Sequence, residues 1–247
     1  MKILITGICG TLGAEFYRQL KKDNEVFGIY ANEWAVAERN DPNIFLGDYR
    51  HHKGSYDLII HCAAYKHIEL CETNKDACIR NNVLNLVWAY KNIQGKWLFI
   101  STDKAVEPSS VYGQAKQLAE NFFKDKGEIV ARLGNIYKSS GSVIPLWEKQ
   151  YSEGKPLTIT DPAMTRYFIK VDKAVESILE LWKKTKAGDT IIPELGQPVK
   201  LKDMVKQLYG DYPTRIIGLR PGEKMREKLK WDWEITKFKN KYGTIIR

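Results

Sequence analysis

The chain opens on an uninterrupted apolar run, Ile3-Leu4-Ile5, set between Lys2 and the pair Thr6-Gly7. A run this short, closed by glycine, predicts a strand buried on both faces. Behind it, Ala14, Phe16, Tyr17 and Leu20 suit one packed face of a helix over 13–22. Apolar runs recur at Val26 to Tyr30, Asp57 to His61, Trp97 to Ser101, Ile129 to Leu133 and Thr190 to Ile192. Helical stretches are predicted over 75–92, 112–124, 142–152 and 172–184, with shorter extended pieces at 157–160 and 167–170. Strands alternating with helices predict an α/β class, a Rossmann-type, doubly wound parallel sheet covered on both faces. Pro193, Gly196 and Pro198 then interrupt the pattern. Residues 1–192 are therefore expected to form the Rossmann domain. Residues 193–247 are expected to form a small lobe, with a helix over 201–209, and a basic tail.

Candidate chemistry begins where the first strand meets the first helix. Gly7-Ile8-Cys9-Gly10-Thr11-Leu12-Gly13 has the spacing G-x-x-G-x-x-G. Glycines there permit a tight turn and let backbone N–H groups and the helix N-terminus hold a pyrophosphate. The choice of dinucleotide is expected to be made after the second strand, at Tyr30-Ala31-Asn32-Glu33. Glu33 lies 20 residues after Gly13, the distance at which an acidic residue meets a ribose, but it is not at the first positions after the strand, so a solvated Glu is an equal reading.

A second constellation follows the run Trp97 to Ser101. Ser101-Thr102-Asp103-Lys104 leads to Tyr112 and Lys116, spaced i, i+4 at the start of a helix that Ser109 or Ser110 can cap. Bringing a tyrosine from about 10 to near 7 needs roughly 4 kcal/mol. A lysine about 4 Å away supplies about that much at an effective dielectric near 20. On this reasoning Tyr112 is expected to be a base near neutral pH. Asp103 and Lys104 are neighbours, so they can act together only if the backbone turns between them.

Composition narrows the setting. The chain has 247 residues, 43% hydrophobic and 28% charged, enough for one core or a core with a small lobe. Runs such as Leu58-Ile59-Ile60 fall far short of the roughly 18 residues of a membrane span, so no membrane partner is expected. The opening segment is too short for a signal-peptide core, and a cytoplasmic location is expected. Cys9, Cys62, Cys71 and Cys78 form no C-x-x-C, and the histidines form no H-E-x-x-H, so neither disulfides nor a metal are expected.

The net charge is +9, from 39 Lys+Arg and 30 Asp+Glu. Such an excess suits nucleic acid, acidic lipid or a phosphorylated substrate. Its densest part is Arg220 to Arg247, with nine basic and four acidic side chains. Trp231, Trp233, Phe238 and Tyr242 lie in the same segment, where they can stack on bases or pack back on the core. Packing is preferred, and nucleic acid is not an expected partner.

These motifs carry a resemblance. The glycine-rich loop and Tyr112/Lys116 are similar to those of the extended short-chain dehydrogenase/reductase superfamily. Within it, His61-Cys62-Ala63-Ala64-Tyr65-Lys66-His67, Ser101 to Val106, Gly141-Ser142-Val143-Ile144-Pro145, Ile159 to Arg166 and Arg220-Pro221-Gly222-Glu223-Lys224 resemble, in order, the motifs of inverting UDP-N-acetylglucosamine 4,6-dehydratases and CapD-like polysaccharide biosynthesis proteins. Ordinary nucleotide-sugar epimerases lack the Asp-Lys pair.

The resemblance implies roles. Tyr112 exchanges the proton of the sugar 4-hydroxyl while Thr102 and Lys116 position hydroxyl and cofactor; Lys104 removes the C-5 proton; Asp103 protonates the departing 6-hydroxyl. It implies cofactor contacts at Gly7, Gly10, Thr11, Leu12, Gly13, Asn32, Asp48, Ala63, Ala64, Tyr112 and Lys116. It implies UDP-sugar contacts at Lys66, His67, Asn135, Val143, Pro145, Arg166, Arg220 and Glu223, with 138–166 contributing to the substrate site, and a homo-oligomer. NADP is the cofactor of the resemblance, but Ala31-Asn32 replaces the Ser-Arg that suits its extra phosphate, which makes NAD credible. An NAD(P)-dependent 4-epimerase or reductase of the same fold is the second reading, needing Tyr112 and Lys116 alone. A non-catalytic nucleotide- or nucleic-acid-binding protein is the third.

Overall fold

β-branched and aromatic side chains fill the strand segments because they suit a pleated surface covered on both faces. A computed structural model describes residues 1–247. In chain order the first half comprises β1 (Lys2–Thr6), α1 (Thr11–Leu20), β2 (Glu25–Tyr30), α2 (Glu33–Arg39), β3 (Ile44–Leu46), β4 (Gly54–His61), α3 (Ile68–Thr73), α4 (Lys75–Ile79), α5 (Asn85–Asn92), β5 (Ile93–Thr102), α6 (Val111–Asp125) and β6 (Ile129–Leu133). The second half comprises β7 (Asn135–Ile136), α7 (Val143–Ser152), β8 (Leu157–Ile159), β9 (Thr165–Arg166), β10 (Phe168–Ile169), α8 (Val171–Trp182), β11 (Thr190–Pro193), β12 (Val199–Lys200), α9 (Leu201–Tyr209), β13 (Thr214–Ile216), β14 (Thr236–Asn240) and β15 (Gly243–Ile246).

The main sheet has nine strands in the order β14-β15-β11-β6-β5-β4-β1-β2-β3. From β3 to β11 all neighbours are parallel. The order reverses between β1 and β4, which opens a crevice beyond their carboxyl ends, the place where such sheets bind ligands. Register aligns those ends: Thr6 pairs with His61, His61 with Phe99 and Thr102 with Leu133. One core covers one face of the sheet around Ile3, Ile5, Phe16, Leu98 and Ile178; a second, with Leu4, Ile59, Trp97, Phe99 and Phe123, covers the other.

Two expectations need correction. The helix predicted over 75–92 is broken by a π turn at Arg80–Leu84. There Asn82 points inward, accepting from Tyr65 N at 2.8 Å and donating to Tyr65 O at 2.8 Å. A satisfied buried amide compensates for the irregular turn, and π turns of this kind cluster at functional sites.

The boundary at residue 193 is also crossed. β11 itself runs across it, and β15 pairs antiparallel with β11, and β14 with β15. The expected basic tail is thus the edge of the main sheet. Ile245 and Ile246 are buried, while Lys237, Lys239 and Lys241 alternate with Phe238 and Asn240 on and beyond the edge strand. Lysines on an edge discourage pairing with another chain. Asp189 receives Arg247 at 2.7 Å and Lys237 at 3.8 Å. Phe238 and Tyr242 pack against the core. The small lobe is instead built from 143–164 and 199–225, around Ile144, Trp147, Leu157, Met164, Leu201 and Met204.

Arg132 fastens these parts together. It is fully buried on β6 and donates to Glu120 Oε1 and Oε2 at 3.1 and 2.6 Å, to Glu234 Oε2 at 2.8 Å and to Leu229 O at 2.9 Å.

Candidate active site

The glycine-rich loop is shaped by backbone alone. Gly7 has φ of +72°, and a Cβ there would lie 2.8 Å from Ala63 N; a Cβ at Gly13 would overlap the carbonyl of Gly7. Gly10 is the N-cap of α1 and no side chain caps that end. The first N–H groups of α1 therefore face the crevice with no acidic residue in the first turn. This bare, positively polarised cradle fits the pyrophosphate of a dinucleotide. Overpacking costs about 1–3 kcal/mol. Gly13→Ala is accordingly expected to weaken nicotinamide dinucleotide binding by roughly 5- to 150-fold, measured by fluorescence titration.

Around the cradle, Leu12 packs on the core, and Thr11 Oγ1 accepts from Ser140 N at 3.5 Å. Ala63 N donates to Thr6 Oγ1 at 3.4 Å, which fixes the backbone leading to Ala64. Asn32 caps α2, accepting from Ala35 N at 3.0 Å, and Glu33 is exposed. Asp48 caps the turn that follows β3, accepting from Arg50 N at 2.9 Å. The oxygens of Asn32 and Asp48 are thus already engaged locally, leaving the Asn32 amide nitrogen free of protein partners.

At the end of β5 the backbone makes the turn that the Asp-Lys pair requires. Residues Asp103–Ala105 form a 3-10 turn capped by Thr102, whose Oγ1 accepts from Lys104 N at 3.4 Å and donates to Asp103 Oδ1 at 3.0 Å. The turn folds Lys104 Nζ back to 2.9 Å from Asp103 Oδ1 and 3.2 Å from Asn135 Oδ1. Asp103 is fully buried, and its Oδ2 has no hydrogen-bond partner. A buried carboxylate oxygen left open in this way is aimed at a ligand or is costly.

Ser110 caps α6, accepting from Gly113 N at 3.0 Å, and Glu72 accepts from Val111 N at 2.7 Å. Tyr112 and Lys116 are 7% and 4% exposed. The expected charge coupling between them is corrected by burial. Burial, followed by the Asp103 carboxylate, pushes the Tyr112 phenol up rather than down, although Thr102 hydrogen-bonds it. Burial brings Lys116 down to about 8. Its Nζ donates to Ile100 O at 2.6 Å and lies 4.2 Å from the Phe99 ring centre. Without a second cation beside it, Tyr112 is a proton-holding phenol.

On the small-lobe side, Lys66 Nζ donates to Ser140 O at 2.6 Å, and the imidazole of His67 occupies the space that a Cβ on Gly141 would need. Burial lowers Lys66. Val143 and Pro145 form the first turn of α7, whose N-cap Ser142 makes no capping hydrogen bond. Arg166 is buried, donating only to the carbonyls of Thr165 and Met225 at 2.8 and 3.3 Å. Its charge is free of any carboxylate, as suits an anion site. Arg220 is exposed and paired with Glu69 at 3.2 Å, and Glu223 accepts from Arg220 N at 3.1 Å. Sequence reasoning overlooked Glu227, which is buried 3.7 Å from Lys104; the available signal was the i, i+3 pair Lys224 and Glu227 that continues Arg220 to Lys224. No group of three or more His, Cys, Asp or Glu side chains is arranged for a metal, and no helix is long and apolar enough to cross a membrane.

The chain is similar to known proteins. CapD, a capsular polysaccharide biosynthesis protein of Staphylococcus aureus, is 32% identical over 92% of this chain; the chain spans 44% of that relative, less than half its length. An inverting UDP-N-acetylglucosamine 4,6-dehydratase of Campylobacter jejuni is 33% identical over 91% of this chain and 76% of its own length. The X-ray structure of Pen from Bacillus thuringiensis superposes with a TM-score of 0.82 at 29% identity, covering 92% of this chain and 82% of Pen. The family described as polysaccharide biosynthesis protein matches residues 48–246. Because that match runs through the sheet and the small lobe alike, the chain belongs to the polysaccharide biosynthesis protein family, on a short-chain dehydrogenase/reductase fold.

Proposed function

We propose that this chain is a nucleotide-sugar 4,6-dehydratase acting on UDP-N-acetylglucosamine and inverting C-5, so that it forms a UDP-4-keto-6-deoxy-N-acetylhexosamine for glycan biosynthesis. The observation that carries this reading is the pair of buried Asp103 and half-buried Lys104, 2.9 Å apart on a turn beside Asn135. A 4-epimerase or reductase, which needs Tyr112 and Lys116 alone, leaves that pair without a task.

When bound in the cradle, a nicotinamide dinucleotide supplies reversible hydride transfer, and in its oxidised form a positive charge. Tyr112, held by Thr102, would take the proton of the sugar 4-hydroxyl, its phenolate favoured by the positive charge that the oxidised dinucleotide would bring. The 4-ketone so formed acidifies C-5. Lys104, as the amine, removes the C-5 proton, and Asp103, protonated at its open Oδ2, gives a proton to the 6-hydroxyl as it leaves as water; hydride would then return to C-6 and a proton would reach C-5 from the opposite face, which gives the inverted product. Lys116 orients the dinucleotide ribose. Arg166 and Arg220 take the diphosphate, the latter by leaving Glu69; Glu223, Asn135 and the turn at Val143 to Pro145 take the uridine, and Lys66 and His67 line the sugar side.

NADP is the proposed cofactor, with NAD as the alternative. Arg39 supports NADP: it reaches the Cys9 thiol on the glycine-rich loop and forms no ion pair. The proposal includes a cytoplasmic homo-oligomer, with Leu84, Trp88 and Leu118 exposed on adjacent elements as the surface for a second copy. Incubation with UDP-N-acetylglucosamine and either dinucleotide in D2O, followed by NMR, tests the activity. The expected product is a 4-keto-6-deoxy sugar carrying deuterium at an inverted C-5, without net reduction of the dinucleotide. Appearance of the C-4 epimer alone would establish the second reading instead.

A further inference from the structure

Lys104 is gripped from a direction that the Asp-Lys motif does not include. Glu227, on the segment that follows the small lobe, is almost wholly buried, and its Oε1 lies 3.7 Å from Lys104 Nζ. Its Oε2 lies 2.9 Å from Lys224 Nζ without hydrogen-bond geometry. Lys224 in turn donates to the carbonyls of Val106 and Glu107 at 2.9 and 3.1 Å. Lys228 pairs with the Glu107 side chain at 2.5 Å, and Ser109 Oγ donates to Gly222 O at 2.9 Å. Residues 222–228 are thereby laced to the loop that carries Asp103 and Lys104.

We propose that Glu227 is a positioning residue for Lys104, a proposal that rests on Lys104 being the C-5 base. A lysine amine on a four-carbon stem has many rotamers, and a base must be held near one geometry to work. Asp103 cannot be the sole anchor, because it is neutral when it is ready to protonate the leaving hydroxyl. Glu227 takes no part in the proton transfers, and Lys224 accompanies it at 2.9 Å into the interior, where an unpaired charge would be costly. At 3.7 Å it attracts Lys104 Nζ without a short hydrogen bond, so the nitrogen remains free to take the C-5 proton. Glu227 also shares a segment with Arg220 and Glu223, which links the hold on Lys104 to the part of the chain proposed to take the nucleotide.

Single-turnover measurements with UDP-N-acetylglucosamine and NADP in D2O separate the steps. Absorbance of the reduced dinucleotide reports oxidation at C-4, and deuterium incorporation reports proton exchange at C-5. Glu227→Gln is expected to leave C-4 oxidation and KM within about twofold while lowering C-5 exchange and kcat by roughly 10- to 100-fold. Glu227→Asp, which keeps the charge, is expected to recover part of the exchange and serves if the Gln variant does not fold. Equal slowing of both steps would reduce Glu227 to a packing role, and wild-type C-5 exchange in both variants would overturn the proposal. Lys104→Ala distinguishes the premise: C-5 exchange at the wild-type rate in that variant refutes Lys104 as base, whatever Glu227 does.

Discussion

Lys104→Ala is expected to lower formation of the 4-keto-6-deoxy product by about 10²–10⁴-fold, the contribution of a well-placed acid–base group. Oxidation at C-4 should survive, because Tyr112, Thr102 and Lys116 are untouched and Lys116 is held independently by Ile100 O. The reduced dinucleotide should therefore accumulate with the 4-keto sugar. Lys104→Arg sharpens the test. It keeps the positive charge beside Asp103 and Glu227, yet a guanidinium does not give up its proton in a protein. Both variants should fail at C-5 if a base is required there. Turnover retained by the Arg variant alone would show that only the charge matters, and turnover retained by both would remove Lys104 from the chemistry. Product assay by NMR, with absorbance followed in parallel, reads all three outcomes.

Arg132→Met is expected to produce the largest loss of stability of any single change considered. It removes the cation between two buried carboxylates, Glu120 and Glu234, at 2.6 and 2.8 Å. Breaking a buried ion pair costs about 3–5 kcal/mol. For a chain of this size about 2–4 °C accompanies each kcal/mol, so the melting temperature should fall by roughly 6–20 °C. The effect should also depend on pH. Burial pushes the Glu234 carboxyl up, but hydrogen bonds and charge from Arg132, aided by Lys124, outweigh it and hold the group below its ordinary value of 4.5. A depressed carboxyl contributes stability that is fully present above its unfolded value and is lost as pH falls through its folded value. The wild-type melting temperature should accordingly drop below about pH 4.5. The gap between wild type and Arg132→Met should narrow there, because protonation relieves the stranded carboxylates. Circular dichroism melts between pH 7 and 4 check both statements; a constant gap would mean that the network is not electrostatic.

Much of the site was legible in the chain because its parts are local. G-x-x-G-x-x-G after an apolar run, and a Tyr and Lys four apart on one helix, need only near neighbours to be recognised. The chemistry of those parts was less legible. Tyr112 and Lys116 were expected to couple through Coulomb attraction, but burial acts on each separately, raising one and lowering the other. Desolvation depends on what packs around a group, and for Tyr112 that includes Cys71 and Cys78, brought by α3 and α4. The π turn at Arg80–Leu84 was hidden for a related reason: its compensation, the Asn82 clamp on Tyr65, spans 17 residues.

The basic C-terminal segment shows the same division. Its charge suggested a tail or an anion site, and Arg220 and Glu223 still stand as proposed nucleotide contacts. Several of the other basic groups have tertiary partners: Lys224 donates to the carbonyls of Val106 and Glu107, Lys228 meets the Glu107 side chain, and Lys237 and Arg247 meet Asp189. The alternation of strands and helices, the backbone cradle and the helix that presents Tyr112 and Lys116 are all written into the linear chain, since periodicity and spacing are properties of adjacent residues. Folding in three dimensions is what turns Asp103 and Lys104 onto each other, sets Glu227 behind them and closes the sheet with the last strands. The last two rest on contacts between residues far apart in the chain, and in the first the local turn is joined by Asn135, which accepts from Lys104 across 31 residues; the energies of such contacts are set by burial and distance rather than by order in sequence.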